Sequence, residues 1–494
     1  MQNIIAINPT TNLSICKNVS LDNTYTDTMT FANATAQYTF FKTKEKYFFE
    51  QLTPIDIKNN TIRVNVNANN LYDCNYIIFQ NSNWSAKYFY AFITDIEFLS
   101  PDVSSITFEI DVMQSWYFDM KIQPSYVLRE HITTDAIGAN TQPEPLNIPF
   151  YTYSNEGTSG FFRFDKFYIV VASSYSGQAN SIGDLKGGVF SGVHYFYYLP
   201  NEEGIADLTS LLDTLLELGK EENIVDIFMF PYEFFPSGNN AVLKEINIPK
   251  ATYIDNLDGY KPKNNKLFSY PFNMINVDNG CGSERDLRIE KWQVDNNNLV
   301  FDFYGTISTN PTVIAFPKNY NGVTYGIKDI IEISNFPKCS WSGNSFKAYL
   351  AQNATGIASN LITNVASFNA VGTINAVSNL AQQAIAPEYK TFGSTNGSDV
   401  KFSSGVLDIK FRQKCITREY AKMFDDYLSK FGYATNLLKV PNIIGRKSWN
   451  YVKTEKANIN GSIPFNHLSK IKSIFNNGIT FWHGDFVGDY TRDN

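Results

Sequence analysis

The sequence predicts a mainly β protein with some helix, an α+β chain of several domains. Three observations point there. Segments that alternate apolar with polar residues fill most of the chain, clear helical stripes are few, and 494 residues at about 150 per domain call for about three domains. A hydrophobic share of 43% supplies several buried cores, and an aromatic share of 15% favours pleated, half-buried surfaces.

Residues 1–145 read as an N-terminal β domain. IRVNVNANN, YIIFQ, FYAFITDIEF and SSITFEIDV carry its strands, separated by Asn and Gly clusters. Residues 146–262 read as a mixed α/β middle domain with the strand FYIVVASS and a helix from Leu208 to Leu218. Leu208, Leu211, Leu212 and Leu215 share one face of that helix, Asp207 is placed as its N-cap, and Gly219 as its left-handed stop. Residues 263–345 return to strands (NNLVFDFYGTI, TVIAF). Residues 397–494 form a C-terminal α+β domain with the strand VLDIKFR and two helices. The first, Arg418 to Phe431, is expected to bury Tyr420, Met423, Phe424, Tyr427 and Phe431 before Gly432. The second sets Leu468, Ile471 and Ile474 on one face.

Residues 346–396 stand apart, because no Asp, Glu, Lys or Arg occurs in the 40 residues from Ala348 to Pro387. At 18% charge, about 0.03 such runs are expected by chance in a chain of this length, so composition alone does not produce it. Ile357, Leu361, Val365, Phe368, Val371, Ile374, Val377 and Leu380 recur at steps of three or four, and Ile362 and Ile385 add to the apolar content. Ala354 and Ala358, Ala366 and Ala370, and Gly372 and Ala376 lie four apart, the small-residue spacing that brings helices close in lipid. An arm of about 20 residues spans about 30 Å, the thickness of a bilayer core, so a two-armed hairpin is long enough to insert. Against insertion, Asn353, Asn360, Asn364, Asn369, Asn375 and Asn379 with Gln352, Gln382 and Gln383 carry amides whose unpaired burial costs several kcal/mol each. Assembly of several copies would let those amides face one another or a water-filled centre. The residues alone leave a buried helical hairpin, a flexible Ala/Asn loop and a membrane-active segment all open.

Charge and motifs narrow the function. Lys plus Arg total 41 against 48 Asp plus Glu, a net charge of −7, which argues against binding nucleic acid through bulk positive charge. The five cysteines, Cys16, Cys74, Cys281, Cys339 and Cys415, are scattered without a C-x-x-C pair, so reduced thiols are expected and neither disulfides nor zinc. MQNIIAINPTTN lacks the basic-then-apolar pattern of a secretory signal, and no run of 18 apolar residues suggests a permanent anchor. Four histidines, His131, His194, His467 and His483, form no H-E-x-x-H, and neither a Walker loop nor G-x-S-x-G occurs. Arg129-Glu130-His131 contains acid/base groups, but adjacent strand residues point to opposite faces, so a structural role is expected. Glu109 with Asp111, and Asp425 with Asp426, are read as solvated surface pairs in preference to catalytic carboxylates. No catalytic residue, metal site or cofactor is expected.

FQNSNWSAKYFYAFITDIEF (Phe79 to Phe98) and ITFEIDVMQSWYFDMKIQPSYVLREHI (Ile106 to Ile132) resemble the distal tail tube, or tail knob, family of small short-tailed Bacillus phages and their staphylococcal and streptococcal relatives. The resemblance continues through NVSLDNTYTDTMTF (Asn18 to Phe31), KLFSYPFNMINVDNG (Lys266 to Gly280) and FPKCSWSGNSFKAYLAQN (Phe336 to Asn353). It is looser in REYAKMFDDYLSKFGY (Arg418 to Tyr433) and NGITFWHG (Asn477 to Gly484) and weakest in 146–262, which reads as abbreviated. It implies a non-enzymatic virion protein at the tail tip, made in the host cytoplasm, a β-barrel or sandwich subunit that forms a tube as a homo-hexamer. It also implies contact with the lower collar and tail tube proteins, and DNA as a transiting passenger. In the family, hydrophobic loops at the position of Ala348 to Pro387 plug the tube and then enter the host membrane. Two other classes compete with it: a tail-associated wall hydrolase, and a receptor-binding tail protein for wall glycans acting through 146–262.

Overall fold

The computed structural model describes residues 11–52, 60–81, 87–158, 162–163, 167–176, 181–185, 189–199, 202–231, 244–278, 284–292, 297–306, 312–318, 320–321, 331–335, 338–339, 406–407 and 409–492. Two compact units emerge, 1–147 joined by 423–494, and 148–422. The sequence pattern changes near 397, whereas the packing changes near 423, because residues 433–482 pair with strands from the beginning of the chain.

The first unit holds a six-stranded antiparallel sheet. Its order is Glu45–Leu52, Thr11–Lys17, Cys74–Asn81, Phe89–Ser100, Val103–Ile110 and Thr61–Val64. Tyr76 to Phe79 of YIIFQ are apolar without alternation because their strand is central and both faces are covered. Tyr76 and Ile78 enter one core with Phe41, Tyr90 and Phe92, while Ile77 and Phe79 enter another with Leu13, Ile15, Ile62 and Phe108. IRVNVNANN is strand only over Thr61–Val64 and closes as a 3-10 turn at Ala68–Asn70, where Asn67 accepts from the Asn69 N–H.

A second, five-stranded sheet ties the chain's two ends together. Its order is Asp27–Met29, Ile479–Trp482, Trp449–Glu455, Ser125–Glu130 and Tyr433–Lys439, and the first pair is parallel. The helix Phe465–Asn477 buries Ile471, Ile474 and Phe475 in the core shared with Phe41 and Tyr76, with Leu468 packed at its border. The segment Asn18 to Phe31 sends Val19, Leu21, Tyr25 and Met29 into the same core.

The second unit contains a four-stranded sheet, ordered Tyr151–Thr158, Lys410–Ile416, Asn273–Asp278 and Glu284–Leu287. A five-stranded sheet runs Ser181–Leu185, Val189–Tyr198, Phe167–Ser173, Ile224–Pro231 and Lys338–Cys339. Another four-stranded sheet runs Lys244–Pro249, Asn298–Thr306, Thr312–Lys318 and Ile331–Asn335. VLDIKFR is two strands, Val406–Leu407 and Lys410–Ile416, which pair in different sheets.

Two helices correct the sequence reading in detail. The helix expected from Leu208 begins at Glu202, so Asp207 is internal and not its N-cap. Glu202 and Glu203 suit the positive end of the helix, which extends the element a turn and more upstream. Its leucine face is buried as expected, and Gly219 takes the left-handed φ of 63°. The helix Arg418–Phe431 has the expected bounds but turns Ala421, Phe424, Asp425 and Leu428 inward and leaves Met423 53% exposed. Asp425 is thus buried, not paired with Asp426 on a solvated face.

Candidate functional site

The ten apolar residues singled out in the uncharged stretch, Ile357, Leu361, Ile362, Val365, Phe368, Val371, Ile374, Val377, Leu380 and Ile385, lie outside the described residues. The described chain flanks them with unequal anchors. Before the stretch, Lys338–Cys339 adds two residues beside Phe228 and Ile227. After it, Val406–Leu407 pairs with Arg163 and Phe162, and Lys410–Ile416 runs between two strands of a four-stranded sheet.

That returning strand is held by chemistry on both faces. Inward, Phe411 and Cys415 are buried, and the Gln413 amide donates to the Asn273 side chain at 3.0 Å and to the Asn256 carbonyl at 2.8 Å. Outward, Arg412 donates to Asn276 at 2.8 Å and Asp278 at 2.9 Å, and its guanidinium lies 4.4 Å from the Tyr153 ring centre. Lys414 pairs with Asp286 at 2.5 Å. Hydrogen-bonded charges and a satisfied buried amide make this strand a firm root for whatever precedes it.

The acid/base candidates of the first unit are structural. Arg129, Glu130 and His131 are all buried, on the strand joining the early part of the chain to the late part. Arg129 pairs with Glu144, donates to the Gly432 carbonyl at 2.5 Å, and stacks 4.7 Å from the Tyr427 ring centre. Glu130 takes Lys439 and the Asn442 N–H, on the opposite side. Burial, then the nearby Arg446 charge, pushes the His131 pKa down to about 3, so the ring is neutral. Its Nδ1 accepts from the Tyr451 N–H at 2.7 Å, and its Nε2 donates to the Ser429 carbonyl at 2.9 Å. Both nitrogens are occupied, so no proton relay is available. Gly432 completes the lock, since its φ is +67° and an added Cβ would lie 2.3 Å from the Glu130 backbone.

Glu109 and Asp111 do not converge. Glu109 is held by Lys470 and by the Asn23 amide at 3.1 Å. Asp111 is buried, not solvated as expected: it caps the short helix Val112–Trp116, accepting from the Met113 and Gln114 N–H groups at 3.0 Å each and from the Tyr76 hydroxyl at 2.8 Å. Burial outweighs these bonds and raises its pKa to about 6. An acid whose pKa is raised by folding contributes stability below its unfolded pKa, near 4, and loses it as pH rises through about 6. Asp111→Asn keeps the cap without the charge, so its stability relative to wild type should improve by about 2–3 kcal/mol between pH 4 and pH 7. A difference that stays constant across that range in urea unfolding would contradict this account.

The other candidates are likewise engaged. His467 accepts from the Trp116 indole N–H at 2.9 Å, and His483 sits between Thr30 and Asn450 at 2.7 and 3.0 Å. Cys16, Cys74 and Cys415 are free and buried, and burial lifts the Cys16 thiol to about 12. Among the described residues no cluster of His, Cys, Asp and Glu could hold a metal ion, and no helix is long and apolar enough to cross a membrane. Sequence reasoning missed Glu144, Lys439 and Tyr451, which complete the lock, because their partners lie up to 320 residues away.

The family described as Bacillus phage phi29, Tail knob protein gp9, C-terminal domain matches residues 238–400 and 384–494, together more than half of the chain. The chain belongs to the phage tail knob family. The caudoviral major tail protein N-terminus matches residues 9–121, so a tail-protein family covers the N-terminal sheet as well. Among tail knob relatives, gp9 of Bacillus phage B103 is 27% identical over 602 residues and gp9 of Bacillus phage phi29 is 24% identical over 597. Each alignment covers 98% of both chains. Both alignments are longer than the 494 residues here, so these tail knob proteins carry stretches that this chain lacks. The solved tail knob protein of bacteriophage C1, gp12, shares the fold with a TM-score of 0.58 at 15% identity, over 98% of each chain. The chain is therefore a structural component of a phage tail, from a family named for structure and not for catalysis. The uncharged run falls inside the stretch matched by the tail knob C-terminal domain.

Proposed function

We propose that six copies of this chain close into a tube at the tip of a phage tail, through which the genome leaves. Ala348 to Pro387 plugs the tube and then enters the host membrane. The observation that carries this reading is the 40-residue stretch without a charge, inserted in a tail knob chain between strands of a β scaffold. Neutral helices or loops from several copies can shelter one another's apolar faces inside a closed tube, and exchange that shelter for lipid when the tip meets a membrane. DNA is then a passenger. Six chains at −7 carry −42, and carboxylates near a bore wall repel phosphates over the roughly 10 Å that salt allows. Upstream, the partners are the lower collar and tail tube proteins of the virion.

Deleting Ala348 to Pro387 is expected to leave the purified protein's rings intact in electron micrographs while abolishing its release of dye from liposomes. Release at the full rate by the deletion variant would refute the membrane role, and particles without six-fold symmetry would refute the hexamer.

A further inference from the structure

One face of the four-stranded sheet that holds Lys410–Ile416 carries exposed tyrosines with cations between them. Tyr151 and Tyr153 alternate along the edge strand Tyr151–Thr158, so they stand about 7 Å apart on the same side, 37% and 45% exposed. Tyr270, 43% exposed, lies beside Tyr151: burial and then the Tyr270 phenol push the Tyr151 hydroxyl pKa up. Arg288 sits 3.9 Å from the Tyr270 ring centre, and Arg412 sits 4.4 Å from that of Tyr153. Lys414 stands between the other two rings, 5.4 Å from the centre of Tyr151 and 5.9 Å from that of Tyr153. The row thus runs Arg288, Tyr270, Tyr151, Lys414, Tyr153, Arg412.

The charge balance of this face selects what the row can hold. By strand register, Lys410, Arg412 and Lys414 share it with Asp278, Glu284 and Asp286, three cations against three acids. Arg412 is bound to Asp278 and Lys414 to Asp286, and the Asn276 amide donates to Asp286 at 2.8 Å. Beside Tyr270, the charge of Arg288 is balanced by Glu290, which accepts from the Tyr270 N–H at 3.2 Å. A polyanion gains little here, because the protein's own acids already neutralise the cations. An apolar partner would strip water from those ion pairs, at a cost in free energy. An uncharged sugar meets both conditions. Its C–H face stacks on the electron-rich face of a phenol, and its hydroxyls donate to carboxylates and accept from Lys and Arg.

We infer that this face binds an uncharged pyranose chain, stacked along Tyr270, Tyr151 and Tyr153 with its hydroxyls on Asp286, Glu284 and Arg412. Successive rings in a row suit a polymer over a single sugar, since each ring can carry one residue of the chain. The assignment does not depend on the proposed tube. It draws on residues 151–153, 270–288 and 410–414, so the site is not confined to 146–262.

The test presents the full chain to an array of neutral oligosaccharides of glucose, galactose, mannose, N-acetylglucosamine or N-acetylgalactosamine, with inorganic polyphosphate as the anionic control. Wild type should bind a neutral chain with an affinity that holds as salt is raised, and should leave the polyphosphate unbound. Tyr151→Ala with Tyr153→Ala should weaken that binding about tenfold or more, at unchanged thermal unfolding, whereas Tyr151→Phe with Tyr153→Phe keeps the stacking faces and should stay within about threefold. Tyr270→Ala, on a separate segment, reads the same row independently and should also weaken binding. Binding to no neutral chain, binding to polyphosphate alone with a steep loss in salt, or alanine variants that bind as wild type does would each overturn the site.

Discussion

Trp482→Ala should unfold the first unit at a much lower denaturant concentration, at a cost of about 3–5 kcal/mol. Trp482 is fully buried at the end of the strand Ile479–Trp482, where Asp27–Met29 pairs on one side and Trp449–Glu455 on the other. Its ring lies 5.4 Å from that of Trp449 and 5.0 Å from that of Tyr490, and its indole N–H donates to Asp27 at 2.6 Å. Alanine removes the packing and also the donor to Asp27. Trp482→Phe keeps most of the ring contacts and loses the hydrogen bond, so its cost should be nearer 1–2 kcal/mol. Urea unfolding followed by circular dichroism separates the two. Equal, small losses would mean that the junction of the chain's ends is not held here.

Arg129→Met is the second large effect, again about 3–5 kcal/mol, because it leaves the buried Glu144 carboxylate without its counter-charge. The Arg129 side chain is 8% exposed and that of Glu144 is 0% exposed, so water cannot take over. Adding Glu144→Gln to Arg129→Met removes the stranded charge and keeps an acceptor for the Ala434 N–H, which Glu144 binds at 2.9 Å. The double variant should therefore recover more than half of the loss. Trp116, Trp449 and Trp482 are all buried in the same unit, so tryptophan fluorescence follows its unfolding. Single and double variants of equal stability would show that the cost is packing over Tyr427 and not charge.

Both positions show where local pattern stops being informative. The alternation in SSITFEIDV, the stripe Leu208, Leu211, Leu212 and Leu215, and the stop at Gly219 are all carried by near neighbours, and the fold obeys them, whereas FYAFITDIEF forms its strand but buries Tyr90, Ala91 and Phe92 in succession and exposes Phe98. Arg129-Glu130-His131 could be dismissed as catalysis on strand geometry, yet nothing within ten residues says that Glu144, Lys439 and Tyr451 are the partners. Asp111 looks like a surface carboxylate by pattern. It is a buried cap only because the core that contains Tyr76 and Val112 closes over it.

Chain order and composition by themselves determined the β-rich class, the leucine face of the helix Glu202–Glu217 and a 40-residue stretch free of charge, since each depends on residues a few positions apart. Only the tertiary structure decided that residues 423–494 pack with 1–147 and that the acid/base candidates are locked in place. The physical reason is that burial and partnership are set by contacts across hundreds of residues, which periodicity does not encode.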